Sequence, residues 1–151
     1  MKKTIGLAKL LLIFVFSMLI TGVGRLEFKK TDQSCEQNVI YHVNKLIEDG
    51  KEVNVDVSVN VNPAEKTINM LANAGGATFR FDVIIESKSC DLDLSLKKGM
   101  AVYQTYLKGR MNASGTIKIK IEDGKLDISY LDEKQKVLRK FLVEKWEIVK
   151  N

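Results

Sequence analysis

Apolar and polar residues alternate along most of this chain, the period of a strand with one face buried and one face wet. The clearest case is Glu52–Val61. Val53, Val55, Val57, Val59 and Val61 fall on one side, and Glu52, Asn54, Asp56, Ser58 and Asn60 on the other. Five valines suit a strand because branching at Cβ stiffens the side chain. Asn62-Pro63-Ala64-Glu65 then predicts a turn, Lys66–Leu71 a strand, and Asn73-Ala74-Gly75-Gly76 a second turn. Thr78–Glu86 follows with Phe79, Phe81, Val83 and Ile85 on one face. Asp91–Leu96 alternates Leu92, Leu94 and Leu96 with Asp91, Asp93 and Ser95. Lys97-Lys98-Gly99 turns the chain into a strand over Met100–Lys108.

Asp123-Gly124 is a two-residue hairpin signal between alternating segments. A turn centred there sets Glu122 against Lys125 and Lys120 against Asp127. On the other face it sets Ile121 against Leu126, Ile119 against Ile128 and Ile117 against Tyr130. A slip of one residue would undo every one of these pairs.

The same five residues, Ile-Glu-Asp-Gly-Lys, recur at Ile47–Lys51. A hairpin there would place Asn44 and His42 opposite Val55 and Val57. A helix over 35–48 fits the local pattern better. Val39, Ile40, Val43, Leu46 and Ile47 form one helical stripe, Ser34 and Gln37 have capping spacing, and Gly50 can end the element. Arg139–Lys150 is read as a closing strand from its β-branched and aromatic content, although Asp132 and Gln135 have the spacing of a helix cap. Strands joined in series by short turns predict a mainly β fold, with α+β as the alternative. It is an antiparallel meander of about 7–8 strands curled into a sheet or barrel, with one N-terminal helix.

The first 24 residues follow a different pattern. Met1-Lys2-Lys3 precedes an apolar run from Leu10 to Ile20 and a small-residue exit through Gly22 and Gly24, the order of a secretion signal. The run is short of the roughly 20 residues a bilayer span needs. Cleavage is expected after Gly24, leaving residues 25–151 as a single β-rich domain in the periplasm or the medium, not integral to a membrane. No cysteine adjoins that position, so no lipid anchor is expected.

Export changes how composition reads. The chain has a formal charge of +5, but the leader holds three lysines and no acid, so the remainder carries +2 (21 basic residues against 19 acidic). A global nucleic-acid role loses its basis. The two cysteines, Cys35 and Cys90, are most simply one disulfide in an oxidising compartment.

Candidate chemistry is sparse. His42 is the single histidine, which removes mechanisms that need two, and a Cys90–His42 nucleophile would be silenced by the disulfide. Asp91, Asp93 and Ser95 have the alternate spacing of calcium-loop ligands, but leucines fill the gaps and Leu96 stands where such a loop needs glycine. No serine sits in a nucleophile elbow. Asn112-Ala113-Ser114 matches a glycosylation acceptor. No metal or cofactor is implied.

One interval stands out for binding. No acid occurs between Ser95 and Ile121, where Lys97, Lys98, Lys108, Arg110 and Lys118 accompany Tyr103 and Tyr106. A basic, tyrosine-bearing face could meet an anionic ligand. The alternation, turns and size resemble small exported β-meander proteins such as lipocalin-like domains. The Gly-x-Trp of lipocalins is missing near the first strand, and the one tryptophan, Trp146, lies near the C-terminus. No family is assigned on this resemblance and no functional residue is carried over. The expectation is a non-enzymatic exported binding protein for a small apolar, amphipathic or anionic ligand. A protein-interaction or structural envelope module of inhibitor-like kind is the alternative, and a carboxylate-based hydrolase a third.

Overall fold

The computed structural model describes residues 33–150; the leader and its cleavage point lie outside them. Eight antiparallel strands follow one another: β1 (Val39–Glu48), β2 (Lys51–Asn62), β3 (Thr67–Ala74), β4 (Ala77–Cys90), β5 (Gly99–Leu107), β6 (Arg110–Glu122), β7 (Lys125–Leu131) and β8 (Val137–Ile148). Each pairs with the next, and β1 pairs with β8, so the meander closes into a barrel. Closure leaves the sheet without an edge. Among the described residues no helix is long and apolar enough to cross a membrane.

The alternation sends one face inward. Val57, Val59, Val61, Ile68, Val83, Ile85, Ala101, Tyr103, Ile117, Ile119, Leu126 and Ile128 form one buried cluster. The β6–β7 hairpin keeps the register expected from its sequence pair by pair, from Glu122–Lys125 to Ile117–Tyr130. Asp123 (φ 51) and Gly124 (φ 74) both take the left-handed conformation that a tight hairpin turn requires. Side-chain contacts are not confined to the facing pairs. Lys120 bonds Glu122 two residues along its own strand at 2.8 Å, and Asp127 bonds Lys140 on β8 at 3.0 Å.

Two local expectations are corrected. The segment expected as a helix, 35–48, is a three-residue 3₁₀ turn, Gln33–Cys35, followed by strand β1. A hairpin does form at Asp49-Gly50, both left-handed (φ 49 and 75), and Glu48 pairs with Lys51. A β-bulge removes the conflict. Lys45 faces Asn54 while Val43 faces Val57, so Asn44 stands against both Val55 and Asp56. Val39, Tyr41 and Val43 thereby point inward on one side of the bulge and Leu46 on the other, a set that mimics a helical stripe. The two Ile-Glu-Asp-Gly-Lys copies therefore make the same kind of turn.

The second correction is Asp91–Leu96, which is a compact link and not a strand. A single bridge joins Asp93 to Lys98. Asp93 accepts from the Ser95 hydroxyl at 2.6 Å and the Leu96 amide at 2.9 Å, and Asp91 accepts from the Met100 amide at 2.7 Å. These carboxylates hold the link's own backbone. The first two bonds keep the Asp93 carboxyl below the usual carboxylate range, the Ser95 hydroxyl contributing most. Leu92 and Leu94 are buried and Leu96 is exposed. Gly99 ends the link at φ 94, where a Cβ would stand 2.3 Å from the Asp91 carbonyl oxygen, so no larger residue fits there.

The two ends of the barrel differ. At one end Leu92 and Leu94 fold inward and the Gln33–Cys35 turn lies beside them. The Leu94 amide donates to the Ser34 hydroxyl at 3.2 Å, and Lys88 donates to the Cys35 carbonyl at 3.2 Å. A disulfide joins Cys35 to Cys90 at the end of β4, with Cα atoms 6.0 Å apart. This is the covalent chemistry of an oxidising compartment. The other end carries the β1–β2, β3–β4, β5–β6 and β7–β8 connections.

Candidate functional site

The inward face is not filled throughout. Toward the closed end Tyr41, Val59, Ile68, Tyr103, Ile117, Ile119 and Ile128 are each 2% exposed or less. Toward the other end the interior opens into a cavity of ≈ 320 Å³. Among the described residues it is lined by Leu46 from β1, Val55 and Val57 from β2, Met70 and Ala72 from β3, Phe81 and Val83 from β4, Leu107 from β5, Tyr130 from β7, and Arg139 and Phe141 from β8. Phe79 and Phe81 at the mouth are 51% and 49% exposed, so large apolar rings rim an opening instead of closing a core.

On β6, Gly115 brings a residue without a side chain against Tyr130. A Cβ on Gly115 would lie 2.7 Å from the Tyr130 ring and hydroxyl. The glycine lets that ring lie across β6, so Tyr130 leans away from its β8 neighbour Arg139, with which it pairs in register.

Among the described residues Arg139 is the one charged lining residue. Its position follows from strand sidedness: two residues before Phe141, it shares the inward face at the rim. Its Nε donates to Glu48 Oε1 at 3.2 Å. Glu48 ends β1 two residues past Leu46 and so belongs to the same inward face, which sets acid and base together at one point of the rim. Both are about half exposed, and such pairs contribute roughly 0–1 kcal/mol.

The residues proposed from sequence occupy several places. Tyr103 is buried inside the barrel and Tyr106 is half-buried on the opposite face of β5. Lys97 and Lys98 sit in the closed-end link, whereas Lys108 lies in the β5–β6 turn at the open end. Strand rise separates the two sites by roughly 25–30 Å. Lys118 is on the outer face of β6, and Arg110 opens that strand, its side chain outside the described structure. Asn112 has its side chain outside it too. His42 meets Glu147 at 2.6 Å on the outer surface. The cup-lining Leu46, Met70, Tyr130, Arg139 and Phe141 were not singled out as a site. The available signal was Arg139 sharing strand parity with Phe141, an inward charge on an otherwise apolar face.

Tyr41 and Tyr103 share the packed half. Burial, then the charge of Glu36, pushes the Tyr103 phenol up to about 12. Burial, then the neighbouring Tyr103, raises the Tyr41 phenol further. A phenol whose folded pKa exceeds its unfolded value stabilises fully below the unfolded value and loses that contribution as pH rises toward the folded one. Stability is therefore expected to fall from about pH 10 upward. Tyrosinate absorbance from these two residues should appear only together with loss of near-ultraviolet circular dichroism. Tyr103→Phe should shift the alkaline unfolding midpoint to higher pH; an unchanged midpoint would refute the assignment.

Comparison with protein-family models, curated proteins and solved structures finds no match for this chain.

Proposed function

We propose that this protein is an exported, non-enzymatic binding protein that holds a small, largely apolar or amphipathic ligand in the cup at the open end of its barrel. The observation that carries this is the ≈ 320 Å³ apolar cavity, rimmed by exposed aromatic rings, in a barrel whose other half buries its side chains from water. An apolar hollow open to water is a standing cost that a bound apolar body removes, and ligand sites have this composition. Among the described residues the lining is apolar apart from one guanidinium and one phenol, a composition suited to holding a largely apolar body. Closure of β1 onto β8 leaves no sheet edge for strand-adding partners, which weighs against an edge-docking interaction module.

The Cys35–Cys90 bond supports an extracellular or periplasmic setting. The export reading adds removal of residues 1–24. Native mass spectrometry of protein from its own source tests both parts: the expected species begins at Arg25 and retains a small apolar molecule. In parallel, the neutral dye Nile red should bind saturably at one site. A protein that shows neither a retained molecule nor dye binding would refute the cup as a ligand site.

A further inference from the structure

We propose that the ligand is a single-chain amphipath with a carboxylate head, held at the mouth of the cup by the Arg139 guanidinium in competition with Glu48. This rests on the cup reading above and specifies which end of the molecule goes where. A cavity of ≈ 320 Å³ lies at the lower end of the roughly 300–1,000 Å³ of ligand pockets, room for one chain and not two.

The mouth is asymmetric. On one side the β2, β3 and β4 strands present Val55, Met70, Ala72 and Phe81, a continuous apolar wall. On the adjoining arc of the ring, β8 and β1 present Arg139 and Glu48. A molecule with its tail against the first wall brings its head to the second.

Arg139 is suited to receive an anion there. Among the described residues its one hydrogen bond is from Nε to Glu48 at 3.2 Å, a single point of contact. A guanidinium offers five donors in a planar fork whose parallel N–H groups match the two oxygens of a carboxylate. Its present partner holds it weakly, since the pair is 54% and 47% exposed at its two side chains. A ligand carboxylate at the mouth would be shielded by its own chain, where a charge-assisted bond gains strength. Tyr130 leans over Gly115, away from β8, and does not occupy this corner. Glu48 makes the position selective in sign. It neutralises the arginine while the cup is empty, and it repels an anion that has not displaced it.

The test compares decanoate, decanol and decylamine as competitors of Nile red on the wild-type protein and on Arg139→Gln, Arg139→Lys and Glu48→Gln. Decanoate should compete about ten- to a hundredfold better than decanol, the factor a bond to a charged group supplies. Arg139→Gln should bring decanoate to the level of decanol and leave decanol itself unchanged. Arg139→Lys, which keeps the charge without the fork, should retain part of the preference. Glu48→Gln should strengthen decanoate and not decanol, an effect of opposite sign that mere loss of packing cannot produce. Equal binding of decanoate and decanol, or a preference that survives Arg139→Gln, overturns the head-group assignment and leaves the cup reading standing. Tightest binding of decylamine overturns it in favour of Glu48. Failure of all three to displace a bound dye, or of the dye to bind, removes the cup reading itself.

Discussion

Ala72→Trp should weaken binding of Nile red and of any alkyl competitor by about two orders of magnitude while the barrel stays folded. Ala72 lies on the inward face of β3, facing Val57 on β2 and Phe79 on β4 across the sheet, and it lines the cup. An indole at this position projects into empty volume and not into packed side chains, so the overpacking penalty of a filled core does not apply in full. Each methylene it excludes from the cup costs a ligand about 0.8 kcal/mol. Excluding about four of them loosens binding roughly two hundredfold. Val55→Trp on the neighbouring strand should act in the same way, which guards against one variant failing to fold. The measurement is dye titration alongside a thermal midpoint. A variant with an unchanged midpoint and undiminished dye binding would place the ligand site outside the cup.

The largest stability effect should come from the closed end. Cys35→Ala with Cys90→Ala removes a cross-link between residues 55 apart in the chain. The chain-entropy model assigns such a loop about 4 kcal/mol. For a domain of this size that corresponds to a fall in Tm on the order of 10–20 °C. The loss should also have a local signature. Without the bond, the Gln33–Cys35 turn depends on contacts such as Leu94 N–H to Ser34 Oγ and Lys88 to the Cys35 carbonyl. The Leu94 amide should then exchange with solvent faster than amides in the centre of β6, because the end opens without the barrel unfolding. Equal protection at both places in the double variant would show that the turn is held by packing on Leu92 and Leu94 and not by the bridge. Dye binding should persist in the double variant below its Tm, since the cup is at the other end.

The two expectations separate what each end contributes. The closed end supplies stability through packing and a covalent tie. The open end gives up packing, and the cost of that hollow falls on strands already secured elsewhere. A barrel suits this division because hydrogen bonding round the ring does not depend on a filled interior at every level.

Legibility varied with the range of the forces involved. The β6–β7 register could be read from sequence because turn type, facing charges and facing apolar pairs all agree within sixteen residues. The β1–β2 hairpin has the same turn residues, yet its register looked wrong, because a bulge at Asn44 shifts the pairing midway and no local pattern marks that shift. Helix and bulged strand give the same stripe of apolar positions over Val39–Ile47, and pairing with both β2 and β8 decides between them. The Asp91–Leu96 alternation was read as a strand for a related reason. Leu92 and Leu94 do point inward, but Asp91 and Asp93 spend their oxygens on the link's own amides. The basic interval from Lys97 to Lys118 is continuous in sequence, but β5 carries the chain from one end of the barrel to the other within it, so its charges separate.

Sidedness, turn positions and the pairing of two cysteines were determined by the sequence alone, because each is a property of neighbours along the chain or of there being only two thiols. Closure into a barrel, the bulge in β1 and the hollow behind Arg139 were decided by tertiary structure. A cavity is what remains when side chains from strands far apart in sequence are summed at one level of the barrel, and whether Gly115 leaves room or Tyr130 takes it has no meaning until β6 and β7 lie side by side.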